Sequence, residues 1–322
     1  NDIMEKVYLK NINMALLDEK GFFLNQMYHT NNTTVYLDGK WIPADQATTS
    51  LYDQTLHYGN GVFEGIRAYE KDGLPQIFKA EEHFERLLFS AKAMHIDLNV
   101  GVEEMVTIAK ELLAINNLRD AYIRPLVYLG PNMKLEPVKE VHLFMCAWEW
   151  GSYLGNQLIR VMTSSYQRPN PKSCHVEAKT VGHYTNSILA TTEANSNGFD
   201  EALLTDMNGF VAEGSGANFF FEKDGKLYTP ALGNILSGIT RKTIIELARE
   251  VGYEVEEGHF TVNDVKQADS AFFTGTAAEV AGIASLDNYA FPLAWEDSIG
   301  SELARMYQKR VKAQNYQKFE LV

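Results

Sequence analysis

The chain has 322 residues, of which 45% are hydrophobic, and its 29 basic and 42 acidic side chains give a formal net charge of −13. A chain of this length can bury a sizeable core and suggests two domains. Its acidic surface repels phosphate backbones, so nucleic-acid binding is not expected. No apolar run approaches the roughly 20 residues that a membrane span needs.

The two cysteines, Cys146 and Cys174, do not form a CxxC pair. Neither a disulfide framework nor a zinc site is therefore indicated, and we expect a reducing compartment, the cytoplasm. Residues 1–34 intersperse acidic and apolar residues and end in the loop-like stretch HTNNTT. We expect the fold proper to begin near Val35, after an N-terminal extension that is neither a signal peptide nor a transit peptide.

The first half of the chain alternates strand and helix patterns. Apolar runs flank Asp38-Gly39, a strong two-residue turn signal, and predict a hairpin over 35–42. The stretch HYGNGVFEGIRAYE (57–70) is a glycine-rich turn that leads into an alternating strand. Apolar periodicity predicts the other elements of this half: helices over 79–96 and 102–117, and strands over 121–130 and 140–150.

The pattern breaks near GSYLGNQ, and we expect an interdomain linker at 153–158. It separates a smaller domain, 35–152, from a larger one, 159–322. The elements predicted in the larger domain are a strand over 158–165, a helix over 184–195, hairpins that turn at Asn208-Gly209 and Asp224-Gly225, and a helix over 237–252.

Lys179 occupies an unusual position in this half, in the stretch HVEAKTVGHYTNS. It follows a short alternating run, and a helix pattern begins at Tyr184, five residues later. Small and apolar neighbours favour a neutral amine, which could form a covalent bond with an aldehyde cofactor. On position alone, the pattern favours a solvated lysine at the end of a strand over a cofactor-binding one.

A lysine-bound pyridoxal phosphate needs a carboxylate near its ring nitrogen and a cradle for its phosphate. Glu213, in FVAEGSGANFFFE, stands among small and apolar residues and would need a positive partner if buried. The stretch LSGITRK begins a helix whose free N–H groups attract anions, and FFTGTAAEVAG is a second turn of small residues. Arg86 could hold a phosphate with paired donors, or form a surface ion pair with Glu82.

Other chemistries find less support in the sequence. His57 and His83 lack partners at the spacing of metal ligands, so both are interpreted as structural histidines. The glycines of GNGVFEG do not match a dinucleotide-binding loop after a strand. Neither a GxSxG nucleophile motif nor a Walker motif occurs.

Taken together, the motifs form an ordered series. HYGNGVFEGIRAY, HFERLLFSA, AYIRPL, WGSYLG, AKTVGHYTNS, DMNGFVAEGSGANFFF, SGITR and GTAAEV follow one another along the chain. This series closely resembles the fold-type-IV pyridoxal-phosphate enzymes and, within them, the branched-chain amino acid aminotransferases. The resemblance covers about residues 35–322. It implies a two-domain α+β fold like that of the D-amino-acid aminotransferases, with the cofactor at the domain interface.

The resemblance also implies a role for each candidate. Lys179 is expected to bind the cofactor covalently and to move a proton at the substrate Cα. Tyr184 is expected to hydrogen-bond the ring oxygen and Glu213 to face the pyridine nitrogen. The other residues implied to hold the cofactor are Arg86, Leu236, Ile239, Thr240 and Thr276. The amides of Thr276 and Ala277 are expected to bind the substrate α-carboxylate.

The assignment to the branched-chain enzymes rests on AYIRPL, in which Tyr122 and Arg124 match the Tyr-x-Arg of that branch. One pocket must take an aliphatic side chain and then the γ-carboxylate of glutamate, and Arg124 is suited to the carboxylate. The expected pocket walls are Phe63, Tyr58, Trp150 and Tyr153. Arg67 of FEGIRAY also matches the family motif, and we expect it to have a supporting role.

We therefore expect a homodimeric or larger aminotransferase that transfers amino groups from leucine, isoleucine or valine to 2-oxoglutarate. Several alternatives stay open: a D-amino-acid or amine transaminase or an aminodeoxychorismate lyase of the same fold, a non-catalytic binder, and a separate role for residues 1–34. One departure is present, because Asn132, Met133 and Lys134 stand where bacterial members carry a Gly-Met-Gly-Val loop. His183 stands where asparagine is common.

Overall fold

The computed structural model describes residues 28–136, 138–150 and 158–313. The described residues form two β-sheets, one from each half of the chain, with helices packed against them. Among these helices, none is long and apolar enough to cross a membrane.

The first half builds an antiparallel sheet that has seven strands within the described residues. Its strands are β1 Thr34–Leu37, β2 Lys40–Pro43, β3 Val62–Phe63, β4 Ile66–Lys71, β5 Leu74–Ile77, β6 Ala121–Leu129 and β7 Val141–Glu149. They lie in the order β2-β1-β7-β6-β4-β5, and β3 pairs with β6. The accompanying helices are α1 Gln54–Tyr58, α2 Ala80–Ala93 and α3 Val102–Ile115.

The predicted hairpin and both amphipathic helices of this half are confirmed. Asp38 and Gly39 have positive φ values of 47° and 81°, as a two-residue hairpin turn requires. The apolar faces of α2 and α3 pack on the sheet through fully buried residues such as Phe84, Leu87 and Met105. Burial of these faces, rather than helix propensity alone, stabilises the two helices.

The second half forms a sheet with nine strands among the described residues. Its strands are β8 Ile159–Gln167, β9 Glu201–Thr205, β10 Val211–Gly214, β11 Asn218–Lys223, β12 Lys226–Pro230, β13 Val255–Gly258, β14 Ser270–Gly275, β15 Glu279–Leu286 and β16 Tyr289–Ala290. Because β10 pairs with both β9 and β11, strands β8, β9, β10, β11, β14 and β15 close into a barrel-like ring. The helices are α4 Tyr184–Ser196, α5 Ile239–Glu250, α6 Val262–Val265 and α7 Ile299–Ala313.

The predicted elements of the second half are present, including both hairpins and the helices that begin near Tyr184 and Ile239. The predicted linker lies outside the described residues except for Leu158. The two sheets contact each other through a shared core in which Tyr69 and Phe78, from the first half, pack with Phe220 and Tyr307 from the second.

A backbone contact between the halves positions the segment that carries Lys179. The Phe63 N–H donates to the Lys179 carbonyl at 3.1 Å, and the Gly182 N–H donates to the Gly59 carbonyl at 3.0 Å. Gly59 has a positive φ of 68°, and an added Cβ would come within 2.7 Å of the Gly182 Cα. Only glycine fits such an approach without strain. The glycine-rich turn 59–61, which follows α1, therefore supports the lysine segment.

Candidate active site

Lys179 lies in the loop between β8 and α4, with its side chain partly buried. Its Nζ donates to the Tyr184 hydroxyl at 2.8 Å, and its backbone N–H donates to Ser90 Oγ at 3.0 Å. Tyr184 is the first residue of α4, so the start of that helix fixes the hydroxyl relative to the amine. The Phe63 ring lies beside this pair, 5.1 Å from Nζ and 4.8 Å from the Tyr184 ring.

The Lys179 side chain lines a cavity that is open to solvent. The structure brings together at this cavity all the residues that the sequence predicts to hold the cofactor: Arg86, Lys179, Tyr184, Glu213, Leu236, Ile239, Thr240 and Thr276. They come from separate elements, namely α2, the loop before α4, the first residue of α4, β10, the turn before α5, the start of α5 and the turn after β14. Their convergence is the main geometric support for the predicted site.

Glu213 supplies a buried carboxylate on the cavity wall. Its oxygens pair with Arg168 Nε at 2.9 Å, and they accept hydrogen bonds from Asn218 Nδ2 at 2.9 Å and the Leu236 N–H at 3.2 Å. Burial raises the pKa of the Glu213 carboxyl above its usual value, although the charge of Arg168 acts in the opposite direction. The sequence predicted that a buried Glu213 needs a positively charged partner, and Arg168 is that partner.

Another part of the cavity wall is suited to an anion. The start of α5 lines the cavity with Gly238, Ile239 and Thr240, and the first amides of a helix have no partners within the helix. A Cβ on Gly238 would overlap the Asn218 side chain, so glycine allows this turn to approach β11. Arg86 adds a guanidinium whose Nη1 donates to the Ser237 carbonyl at 2.9 Å.

An unpaired hydroxyl in the cavity wall also points to a polar ligand. The Thr274 side chain is fully buried and lines the cavity, and its Oγ1 has no hydrogen-bond partner among the described residues. Buried polar groups normally have a partner. An amine, a paired carboxylate, an oriented helix terminus and this hydroxyl are together the donor and acceptor set that pyridoxal phosphate requires. The residues present therefore fit this cofactor.

Arg124 lies in an aromatic cluster that reaches Lys179 through the Phe63 ring. Its guanidinium carbon is 4.8 Å from the centre of the Phe63 ring and 5.3 Å from that of Tyr122. Its Nη2 donates to the Tyr122 hydroxyl at 3.3 Å, and its buried Nε has no partner in the described part of the chain. Trp148 and Trp150 flank the Tyr122 ring at 5.1 and 5.0 Å. As far as the described residues show, aromatic faces and one hydroxyl hold this cation, and no carboxylate pairs with it.

Comparison with known proteins agrees with this geometry. The model of the amino-transferase class IV family matches residues 61–286. The chain is 40% identical over 280 residues to the branched-chain-amino-acid aminotransferase of Pseudomonas aeruginosa, covering 85% of this chain and 91% of that protein. The chain belongs to the class IV aminotransferase family.

Solved structures of the family share the fold. The branched-chain amino acid aminotransferase of Thermobaculum terrenum in its PLP form matches with a TM-score of 0.84 at 34% identity, covering 89% of this chain and 96% of that one. The enzyme of Thermoproteus uzoniensis with norvaline matches with a TM-score of 0.83 at 36% identity, covering 87% and 94%. The predicted α+β, fold-type-IV architecture is therefore confirmed.

The substrate residues predicted for this class IV aminotransferase are distributed unevenly. Phe63, Tyr122 and Trp150 form one aromatic group with Arg124. Ala277 follows Thr276 in the turn between β14 and β15. Tyr58 lies apart, because its exposed ring borders a separate cavity and its hydroxyl donates to the Met133 carbonyl at 3.1 Å. Tyr153 lies outside the described residues.

Sequence analysis missed three residues that contact the predicted site residues. Arg168 and Asn218 contact Glu213, and the fully buried Glu64 pairs with Arg86. A buried carboxylate implies some positive partner, but the sequence does not say which of the many arginines supplies it. Arg86 itself was considered as a partner of Glu82, four residues away, whereas the structure pairs it with Glu64.

Proposed function

We propose that this aminotransferase moves the amino group of a branched-chain L-amino acid to 2-oxoglutarate, with pyridoxal phosphate bound in the cavity that Lys179 lines. The observation that carries the proposal is the convergence on one cavity of the Lys179–Tyr184 pair, the Glu213 carboxylate and the start of α5. The substrate assignment follows the relatives that bear this activity in their names.

Bound pyridoxal phosphate supplies an aldehyde that takes up the amino group and a ring that delocalises electrons from the substrate Cα. In our proposal Lys179 first holds the cofactor and then, once displaced, carries a proton to and from the substrate Cα. Tyr184 keeps Nζ oriented through the 2.8 Å hydrogen bond. A fixed amine shortens the path that the proton must travel.

Glu213 is proposed to stabilise a protonated ring nitrogen. For this role the carboxylate has to stay ionised in a buried place, and Arg168 at 2.9 Å supports the ionised form. At the other end, Arg86 with the amides of Ile239 and Thr240 is proposed to hold the phosphate, and Leu236 to pack on the ring. Both ends of the cofactor would then be fixed before substrate arrives.

Arg124 and its aromatic neighbours are proposed to form the pocket for the substrate side chain. The rings of Phe63, Tyr122 and Trp150 offer apolar surface to leucine, isoleucine or valine. The guanidinium has one weak side-chain hydrogen bond among the described residues, so it can pair with the second carboxylate of glutamate or 2-oxoglutarate. Thr276 and Ala277 are proposed to bind the α-carboxylate common to all these substrates.

The two sheets support a division of the chain into domains at 35–152 and 159–322, joined by a linker at 153–158, and we adopt it as part of the proposal. The cavity lies where residues of both parts meet, since Arg86 comes from the first part and the other cofactor residues from the second. Clefts between domains are frequent sites for small ligands.

We also propose that the chain forms a homodimer through an apolar patch on the first half. The patch consists of large exposed side chains: Leu51, Tyr52, Leu56, Tyr58, Met133 and Leu135. Its two segments are joined by a hydrogen bond from the Asn132 N–H to the Tyr52 carbonyl. Contiguous exposed apolar surface is typical of an interface. The patch is also continuous along the chain with turn 59–61, which supports the lysine segment.

Steady-state kinetics with L-leucine and 2-oxoglutarate test the activity. We expect parallel double-reciprocal lines, because the amino group is held by the enzyme between the two half-reactions. Intersecting lines, or activity with D-alanine but not with L-leucine, would contradict the proposal.

Light scattering tests the dimer. We expect a dimer for the wild type and a monomer for Leu56→Asp and Leu135→Asp, because each introduces a charge into the patch. Leu74→Asp is the matched control, since Leu74 is a similarly exposed leucine on β5, outside the patch. A wild-type monomer, or dissociation of the control alone, would contradict this interface.

A further inference from the structure

Glu64 is a fully buried carboxylate that no step of the proposed reaction uses. It lies between β3 and β4, directly after Phe63. Its oxygens accept hydrogen bonds from Arg86 Nε at 2.6 Å, Arg86 Nη2 at 2.9 Å, His83 Nδ1 at 2.9 Å and the Gly65 N–H at 3.2 Å. A carboxylate that is bound on all sides in this way fixes the groups that donate to it.

The bonds made by Arg86 leave part of its guanidinium for another ligand. A guanidinium has five N–H donors, and Arg86 uses two on Glu64 and one on the Ser237 carbonyl. Two donors thus have no partner among the described residues. Arg86 lines the cavity, and Ser237 belongs to the turn that begins α5. The Glu64–Arg86–Ser237 connection therefore joins the first half of the chain to the anion-binding turn of the second.

His83 completes this arrangement as a neutral donor. Its side chain is almost fully buried on α2, three residues before Arg86. Burial lowers the pKa of the His83 imidazole, so the ring is uncharged and its Nδ1–H donates to Glu64. The Glu64–Arg86 ion pair is thus supported by two neutral donors, the His83 Nδ1–H and the Gly65 N–H, and its own two charges cancel.

We infer that Glu64, supported by His83, positions Arg86 so that its two remaining N–H donors recognise a phosphate monoester at the start of α5. Glu64 is a positioning residue in this account, since it acts through Arg86 and does not touch the ligand. The inference rests on the proposed function, because it takes pyridoxal phosphate as the ligand. It adds that recognition of the phosphate depends on oriented donors rather than on net positive charge.

The test compares the affinity of the apoprotein for pyridoxal phosphate with its affinity for pyridoxal, which lacks the phosphate. In Glu64→Gln the new side-chain NH₂ group faces N–H donors of Arg86 or His83. Two donors cannot bond to each other, so Arg86 loses its orientation. We expect the affinity for pyridoxal phosphate to fall on the order of tenfold to a hundredfold and the affinity for pyridoxal to stay within about threefold. An equal loss for both ligands would assign Glu64 a purely structural role and overturn the inference.

A gain in affinity of Glu64→Gln for pyridoxal phosphate would also overturn it, because net charge would then outweigh geometry. Glu82→Gln is the matched control: Glu82 lies on the same helix, and its ion pairs are with the lysines Lys79 and Lys242. We expect this control to bind both ligands as the wild type does.

Variants of His83 keep the test usable if Glu64→Gln does not fold. In His83→Asn the side-chain amide can replace the Nδ1–H donor, whereas His83→Leu has no donor. We expect His83→Asn to retain the preference for pyridoxal phosphate over pyridoxal, and His83→Leu to reduce that preference. Equal preferences in the two variants would contradict the role of this hydrogen bond. A wild type that does not bind pyridoxal phosphate would instead refute the proposed function itself.

Discussion

The two ends of the candidate site hold their charges in different ways. At the end proposed for the cofactor, two charged groups have partners of opposite charge: Arg86 pairs with Glu64, and Glu213 with Arg168. Lys179, the residue proposed to bind the cofactor, has only the Tyr184 hydroxyl as a hydrogen-bond partner for its side chain among the described residues. At the end proposed for the substrate side chain, Arg124 has a hydroxyl and aromatic faces, with no carboxylate partner among the described residues.

This contrast has a physical explanation. A cofactor that stays bound through many turnovers benefits from rigid groups whose charges are already compensated. The substrate pocket must accept an aliphatic side chain in one half-reaction and a carboxylate in the other. Its cation therefore has to be covered by aromatic rings when the aliphatic side chain is bound, and has to be reachable when the carboxylate is bound. The comparison teaches that the cofactor end is organised before binding, whereas the substrate end leaves one charge for its ligand.

Removal of the amine should have the largest effect of all. We expect Lys179→Ala to lower turnover with L-leucine on the order of a thousandfold or more, because the proton at Cα loses its carrier. Lys172→Ala is the control, since Lys172 is an exposed lysine of the same loop. Steady-state assays of both variants check this expectation. A Lys179→Ala enzyme with substantial activity would refute the assignment of the site.

Loss of charge compensation at the cofactor end should mainly affect stability. Removing one partner of a buried ion pair costs about 3–5 kcal/mol, so we expect Glu64→Gln to lower the free energy of unfolding by about that amount at pH 7. Urea denaturation measures it. Glu85→Gln, at an exposed position of the same helix, is the control and should change little. Similar losses in both variants would contradict the special role of the buried pair.

The same carboxylate predicts a pH dependence. Burial alone raises the pKa of Glu64, but Arg86 and the His83 hydrogen bond outweigh burial and hold that pKa well below its usual range. The unfolded chain then binds more protons, and the stabilisation by Glu64 is present above about pH 4.3 and lost as the pH falls further. We expect wild-type stability to decrease in this acidic range and Glu64→Gln to show a shallower decrease. Equal slopes would contradict this account.

At the substrate end, loss of charge should change specificity rather than stability. We expect Arg124→Met to lower kcat/KM for 2-oxoglutarate about 10- to 100-fold, because the variant loses one charge-assisted hydrogen bond to the substrate. We expect kcat/KM for L-leucine to change less than about threefold. Separate half-reactions, followed by the cofactor absorbance, give the two values. Arg160→Met is the control, because Arg160 forms an exposed ion pair with Asp200. Equal losses for both substrates would remove the contrast between the two ends.

The smallest effect is expected at the hydroxyl that accepts from Arg124. Tyr122→Phe keeps the ring and removes one hydrogen bond of 3.3 Å. We expect kcat/KM for 2-oxoglutarate to change about fivefold, which corresponds to about 1 kcal/mol. A change as large as that of Arg124→Met would indicate that Tyr122 itself binds the carboxylate.

The sequence predicted the local elements well because their signals are local. The turn at Asp38-Gly39, the apolar faces of α2 and α3 and the helix start near Tyr184 all follow from neighbouring residues. The closure of the barrel-like ring did not, since it depends on pairing between β10 and β11 and between strands distant in sequence. Helix α7 was also not predicted.

The candidate site shows the same division. The resemblance to the family placed Lys179 and Glu213 at positions that line the cavity. It did not supply the partners, since Arg168 is 45 residues from Glu213 in numbering (213 − 168) and Glu64 is 22 residues from Arg86 (86 − 64). Such pairs are set by the tertiary fold, and one sequence without its structure gives each arginine many possible partners.

The visible absorbance spectrum of the purified protein tests the central claim most directly, with L-leucine added first and 2-oxoglutarate last. We predict an absorbance band of the bound cofactor that L-leucine bleaches and 2-oxoglutarate restores. A coloured protein that is indifferent to L-leucine would contradict the proposed substrate. A protein that stays colourless after addition of pyridoxal phosphate would contradict the role of Lys179 and with it the account of both ends of the site.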